Sequence, residues 1–190
     1  MKTEKTDRRV RRTRELLTRS LMQLMEEKDI RDITVCELSD LADINRGTFY
    51  LHYRDVYDLL TSIEDGLFSE FDLILNRHLG SELRPESPLS VFEDIFSFLE
   101  KHREVARVMI GPHGDSAFVS RLKNLVKQHM DCIDSLKSRS GDPLYTEAFI
   151  VSGCTGVIEA WLNHSAPQSP REMAACCSNF LSGAFQDCSL

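Results

Sequence analysis

The sequence predicts an all-α fold, and three observations support this prediction. Apolar residues recur at steps of three and four along almost the whole chain, which is the spacing of a buried helix face. No stretch alternates apolar and polar residues between hairpin turns, as a strand would. Hydrophobic residues make up 42% of the 190 residues and charged residues 28%, as in folded globular proteins. We therefore expect nine helices and no sheet.

The first two helices are predicted from an apolar stripe and a cap. A helix over about 8–27 has arginines on one face and, on the other, Val10, Leu17, Leu21, Leu24 and Met25. A second helix begins after Thr34, whose hydroxyl can accept from the Glu37 amide while the Glu37 side chain returns to Thr34. Ile33 and Leu38 fit a hydrophobic staple, and Leu38 and Leu41 are expected to face inward.

Two further helices follow a tight turn at 42–44. Asn45 can cap a short third helix from Arg46 to about His52, and Asp55 can cap a long fourth helix. The fourth helix is apolar at Leu59, Ile63, Leu67, Phe71 and Ile74. Two short helices joined by a tight turn, after a longer one, have the form of a helix-turn-helix.

Five helices are predicted beyond a Gly- and Pro-containing break at 80–88, at about 89–101, 102–110, 116–138, 144–163 and 170–187. The helix at 144–163 is apolar on more than one face, so it must be covered on most sides. Its Gly153 and Gly156 permit the close approach of another helix. We expect the last two helices to pack against a second copy of the chain, giving a homodimer.

The charge is distributed unevenly along the chain. Residues 1–60 hold 12 basic and 12 acidic residues, whereas residues 61–190 hold 11 and 18 and carry the whole net charge of −7. Within the first part, residues 2–19 hold eight basic and three acidic residues. The net charge argues against a protein that coats nucleic acid by bulk attraction, but the N-terminal end can still meet phosphate.

Other functional classes are disfavoured by what the sequence contains. The apolar runs are too short for a membrane span, and the basic N-terminus has no apolar signal core, so we expect a cytoplasmic protein without membrane contact. The six cysteines form no CxxC pair, which predicts neither a zinc site nor a disulfide scaffold and leaves thiol sensing as a minor hypothesis. No nucleotide-binding, hydrolase or metalloenzyme motif is present, so we predict no cofactor, no metal and no enzymatic activity.

A resemblance sharpens the helix-turn-helix interpretation. Over about residues 8–60, and above all in the run Thr-Phe-Tyr-Leu-His-Tyr at 48–53, the sequence resembles the DNA-binding domain of the tetracycline-repressor (TetR) family. The stretch 149–162 is similar to the C-terminal region of a branch common in Gram-positive bacteria. The resemblance implies a DNA-binding domain at 1–55 and a ligand-binding and dimerisation domain at 56–190.

The residue types fit contacts to double-stranded DNA at a palindromic operator. Arg46 is long enough for a bidentate contact to guanine, Thr48 can reach phosphate or a thymine methyl, and Gly47 allows close backbone approach. Phe49 and Tyr53 are expected to lock the recognition helix in place. With the positions that the resemblance adds, the predicted DNA-binding residues are Thr34, Asn45, Arg46, Gly47, Thr48, Tyr50, Leu51, His52 and Arg54.

Two positions depart from the family pattern. Asp43 stands in the turn where the family often has glycine, and Val56 stands at the start of helix 4 where it often has lysine. The lost lysine removes one phosphate partner. The slope of the logarithm of the binding constant against the logarithm of salt concentration should therefore be smaller by about one, unless Arg54 or the basic N-terminal segment replaces the lysine.

The resemblance also implies a small-molecule effector of unknown identity. Helices 5–7 would wrap its pocket, and the last two helices would form the dimer interface. The candidate ligand-binding residues are mostly aromatic or flexible: Phe68, Phe71, Phe92, Phe96, Met109, Phe118, Leu122, His129 and Trp161. We expect a repressor that its ligand releases from DNA. The alternatives are an activator of the same family and a DNA-independent helical binding or sensing protein.

Overall fold

The computed structural model describes residues 2–79, 88–130, 142–165 and 168–184. Within these ranges the chain is helical and contains no strand, which confirms the predicted all-α class. A 3-10 turn at Ile30–Asp32 accompanies the nine α-helices of the described ranges. In chain order they are α1 (Lys2–Glu27), α2 (Val35–Leu41), α3 (Arg46–Tyr50), α4 (Val56–Leu79), α5 (Pro88–Lys101), α6 (Arg103–Ile110), α7 (Ser116–Met130), α8 (Pro143–Asn163) and α9 (Pro170–Ala184).

The helix limits agree with most of the predicted ones. The first helix begins at Lys2 instead of residue 8, and α3 ends at Tyr50, two residues before the predicted His52. The break at 80–88 and the connection at 138–143 lie almost wholly outside the described residues, as do the predicted ends of the seventh and ninth helices.

The helices form two compact units. The first comprises residues 1–67 together with 108–115, and the second comprises 68–107 together with 116–190. These limits differ from the predicted domains, 1–55 and 56–190, because the first part of α4 and the end of α6 belong to the first unit. The division into domains by function remains a prediction.

The core of the first unit comes from the predicted apolar stripe of α1 and from α2, α3 and α4. Its largest side chains that are almost fully buried are Leu17, Leu21, Met25, Leu38, Phe49, Leu59 and Met109. Leu41 was predicted to face inward, and this prediction is wrong, since 41% of its surface is exposed. The helix α2 has only seven residues, so Leu41 falls in its last turn.

Residues 108–115 are held in the first unit by a tight turn and by an acidic partner. The amide of Gly114 donates to the carbonyl of Gly111 at 3.0 Å. A Cβ at Gly114 would lie 2.0 Å from the Met109 carbonyl oxygen, so only glycine fits this position. The next contact joins the turn to the loop after α1, where His113 Nδ1 lies 2.9 Å from Asp29 Oδ1.

We expect Asp29→Asn to lower the stability of the first unit in a pH-dependent way. The hydrogen bond with His113, aided by Arg31, lowers the pKa of Asp29 against the opposing effect of burial. A carboxylate with a lowered folded-state pKa stabilises the fold above its ordinary pKa, and this stabilisation is lost as the pH falls through the folded-state value. The urea midpoints of wild type and variant should therefore differ at about pH 7 and converge by about pH 2.5.

The neighbouring Asp32→Asn is the matched control, because Asp32 is exposed and its carboxylate lies 3.9 Å from Arg31. A gap for Asp29→Asn that stays constant from neutral to acid pH would contradict the assigned role of the ionised carboxylate.

Candidate nucleic-acid interface

The first helix of the predicted helix-turn-helix is capped as its sequence predicts. The Glu37 amide donates to the Thr34 hydroxyl at 3.2 Å. The reciprocal half of the predicted capping box does not form, because the Glu37 carboxylate instead accepts two 2.7 Å hydrogen bonds from Lys28. This ion pair joins the residue that follows α1 to the first turn of α2 and so stabilises the packing of α2 against α1.

The turn between α2 and α3 requires an unusual backbone conformation. Asp43 has a φ of 53°, in the left-handed region, where glycine is favoured and aspartate is among the better-tolerated alternatives. The Ile44 amide closes the turn by donating to the Ser39 carbonyl at 2.9 Å. The departure at Asp43 thus keeps the backbone path for which glycine is suited.

The short helix α3 is capped at its N-terminus, buried on one side and exposed to solvent on the other. The Asn45 side chain caps it by accepting from the Gly47 amide at 2.8 Å. Phe49 is completely buried, and its ring centre lies 5.9 Å from that of the buried Tyr53. These contacts place both rings in the core, as the sequence predicts.

Two large side chains next to these buried rings face solvent. Tyr50 is 59% exposed and Leu51 is 80% exposed. Adjacent exposed apolar side chains of this size form a patch of the kind found at contact surfaces. The other predicted DNA-binding residues lie within the same 21-residue segment: Thr34, Asn45, Arg46, Gly47 and Arg54 are exposed, and Thr48 and His52 are half-buried.

The start of α4 carries a cap and a cation. The Asp58 amide donates to Asp55 Oδ1 at 2.8 Å, which confirms the predicted cap. Asp58 in turn accepts from the Arg54 amide at 2.9 Å, and this hydrogen bond, with the nearby guanidinium, lowers the pKa of Asp58. The Arg54 guanidinium donates to Asp58 Oδ1 at 3.3 Å and is otherwise largely exposed, so its remaining N–H groups face solvent.

The basic face of α1 is also accessible. Its described arginines are all exposed: Arg8, Arg9, Arg11, Arg12, Arg14 and Arg19. Arg11 lies 3.7 Å from the Glu15 carboxylate, and both side chains remain largely exposed. An exposed row of guanidinium groups favours the approach of an anionic polymer.

The structure divides the candidate ligand-binding residues between the two units. Met109 lies in the first unit, and the other eight lie in the second. Phe71, Phe96, Phe118 and Trp161 are buried, whereas Phe68, Phe92, Leu122 and His129 are half-buried. Phe96 and Trp161 pack edge to face with ring centres 5.2 Å apart.

His129 is engaged on both ring nitrogens. Nδ1 lies 2.9 Å from the Leu125 carbonyl and Nε2 lies 3.2 Å from Asn76 Oδ1. A ligand that used this ring would have to replace one of these contacts.

The comparisons with known proteins identify the family. A TetR-family sequence model, described as the C-terminal region of transcriptional regulators, matches residues 86–183, which is more than half of the chain. The chain belongs to the TetR family. No curated protein matches this TetR-family sequence.

Solved structures confirm the TetR-type fold. A TetR regulator from Streptococcus agalactiae is 17% identical, covers 94% of this chain and 98% of its own, and has a TM-score of 0.61. SmeT, the repressor of a Stenotrophomonas maltophilia multidrug efflux pump, is 16% identical over 93% and 92% of the two chains, with a TM-score of 0.66. DhaS, an activator of a dihydroxyacetone kinase operon, is 15% identical over 92% and 96%, with a TM-score of 0.57. At these identities the likeness concerns the fold alone.

Burial makes two cysteines in the second unit of the TetR-family chain, Cys154 and Cys177, poor nucleophiles. Burial raises the pKa of the Cys177 thiol to about 12, with Cys154 and Cys176 adding to the effect. Burial also raises the pKa of Cys154. These thiols stay protonated at neutral pH, which favours a packing role.

The described ranges hold neither a metal-binding cluster nor a membrane-spanning helix. They contain no group of three or more His, Cys, Asp or Glu side chains arranged to hold a metal ion. Within the same ranges, every helix is too short or too polar to cross a lipid bilayer.

Proposed function

We propose that this regulator binds a palindromic operator in double-stranded DNA as a homodimer and that α3 reads the major groove. The observation that carries this proposal is the contrast at the end of α3, where Phe49 is fully buried while Tyr50, and Leu51 just after the helix, are exposed. A helix that is anchored by one ring and exposes the next residues can enter a groove without reorganising. We propose that Arg46, the first residue of α3, contacts a base edge.

The surface of the last two helices supports the homodimer. Tyr145 and Phe149 lie one turn apart on α8 and are mostly exposed, as is Phe180 on α9. No described atom comes within 4 Å of a Cβ built on Gly153 or Gly156, so a second helix has room to approach there. A twofold axis through this surface would pair two recognition helices, which palindromic sites require to be about 34 to 36 Å apart.

We further propose a cytoplasmic, non-enzymatic repressor that a small molecule releases from DNA. Residues 1–55 would form the DNA-binding domain and residues 56–190 the effector and dimerisation domain. The half-buried aromatic side chains of the second unit, Phe68 and Phe92, support an apolar ligand. Such a ligand must prefer the DNA-free conformation by about 5.5 kcal/mol to reverse an occupancy of 99 to 1.

Selection of genomic fragments by the purified protein tests the DNA-binding proposal. At about 150 mM salt, where non-specific dissociation constants are about 10⁻⁴ to 10⁻⁶ M, the wild type should recover one or a few palindromic sites. Tyr50→Ala should weaken binding to those sites by about tenfold or more, because each subunit loses one groove contact.

Leu73→Ala is the matched control, since Leu73 is an exposed apolar residue of α4 in the other unit. It should bind like the wild type. A folded wild-type dimer that enriches no sequence, with or without cell extract as a source of ligand, would contradict the proposal and favour a DNA-independent sensor.

A further inference from the structure

Two side chains of α2, Cys36 and Asp40, are linked by hydrogen bonds to Arg46, the first residue of α3. The Arg46 guanidinium donates from Nη2 to the Cys36 sulfur. The Cys36 thiol in turn donates to Asp40 Oδ2 at 3.4 Å. Cys36 is half-buried, whereas Arg46 and Asp40 are exposed. A hydrogen-bonded chain therefore runs from the carboxylate through the thiol to the guanidinium.

The order of the groups in this chain determines what it can do. A guanidinium has five N–H donors in a rigid plane, so one donor can be held while the others remain available for a base. A thiol sulfur is a weak acceptor, and it therefore orients the side chain without forming a strong ion pair that DNA would have to break. Because the thiol hydrogen is donated to Asp40, the lone pairs of the sulfur are left to accept from the guanidinium.

We propose that Cys36 and Asp40 are positioning residues that set the direction of the Arg46 guanidinium, and thereby the base preference at the operator position that Arg46 reads. The inference rests on the proposed function, because it takes Arg46 as a base-reading residue. Neither side chain belongs to the recognition helix. Both lie on α2, where their spacing of four residues puts them on one side of the helix.

The test measures base preference and not only affinity. Wild type and variants are titrated against a selected operator and against operators in which each base pair is replaced in turn. Cys36→Ala should reduce the preference at one base pair per half-site by about fivefold to tenfold, which is the lower part of the roughly 5- to 150-fold that a good bidentate contact supplies. Asp40→Ala should act in the same direction. Cys36→Ser, whose hydroxyl can accept from Arg46 and donate to Asp40, should keep the preference within about twofold.

Arg46→Ala identifies the affected base pair and separates the two hypotheses. The pair that loses preference in Arg46→Ala must be the pair that loses it in Cys36→Ala, and the double variant should lose no more than Arg46→Ala alone. Cys176→Ala, at a half-buried cysteine of the second unit, controls for the substitution itself. Circular dichroism verifies that each variant is folded.

Three outcomes would overturn the inference. If Cys36→Ala weakens binding equally at every base pair, its role is structural. If it has no effect while Arg46→Ala does, the positioning role is wrong and the proposed function stands. If Arg46→Ala changes no preference at all, Arg46 is not a reader, and that part of the proposed function falls together with the inference.

Discussion

Phe149→Asp should turn the proposed homodimer into monomers and abolish operator binding. The ring of Phe149 is 64% exposed on α8, next to the exposed Tyr145 one turn earlier. Burying a phenylalanine side chain contributes about 1.5 to 3 kcal/mol. A twofold interface contains this ring from both protomers, so the substitution removes the contribution twice. A buried carboxylate without a partner adds a further penalty. We expect the dimer dissociation constant to rise at least about 1000-fold, which corresponds to about 4 kcal/mol.

Analytical ultracentrifugation measures the dissociation constant, and a binding titration with the selected operator follows the functional consequence. Leu73→Asp is the matched control, because Leu73 is 65% exposed and lies on α4 in the same unit. It should remain dimeric. If Phe149→Asp is folded and still sediments as a dimer at micromolar concentration, the pairing surface lies elsewhere and the proposed spacing of recognition helices loses its basis.

The features that the sequence could predict are local. The caps at Thr34, Asn45 and Asp55 each depend on a side chain and an amide two or three residues further along, so the spacing alone specifies them. Apolar spacing likewise predicted the helices, because a helix face is a property of residues three and four apart. The burial of Phe49 and Tyr53 followed from their places within the family's run of residues.

The features that the sequence could not predict depend on partners far along the chain. Glu37 pairs with Lys28 instead of returning to its cap because the end of α1 supplies a nearby ammonium group. The contact between His113 and Asp29 joins residues 84 positions apart. Cys36 was missed for the same reason: only the turn at Asp43 brings the start of α3 back to α2, and no motif marks that contact.

Among the candidate ligand-binding residues, a pocket wall and ordinary core can be equally buried. The two roles differ in what a truncation removes. A core ring is surrounded by protein on all sides, so its loss leaves a cavity, whereas a ring that lines a pocket already faces a space. Stability measured without ligand can therefore distinguish them.

Phe96→Ala should destabilise the second unit by about 3 to 5 kcal/mol, the usual range for deleting a core phenylalanine ring. Phe96 has no exposed surface and packs edge to face on Trp161. The centre of the Trp161 ring also lies 4.0 Å from the guanidinium carbon of Arg103. Urea unfolding measures the loss, with the half-buried Phe92→Ala as the matched control, for which we expect about 1 to 2 kcal/mol. A loss for Phe96→Ala no larger than that of the control would mean that the ring borders open space. Phe96 and Trp161 would then be the first residues to test for contact with the proposed effector, whereas a loss of the expected size assigns the Phe96 ring to the core.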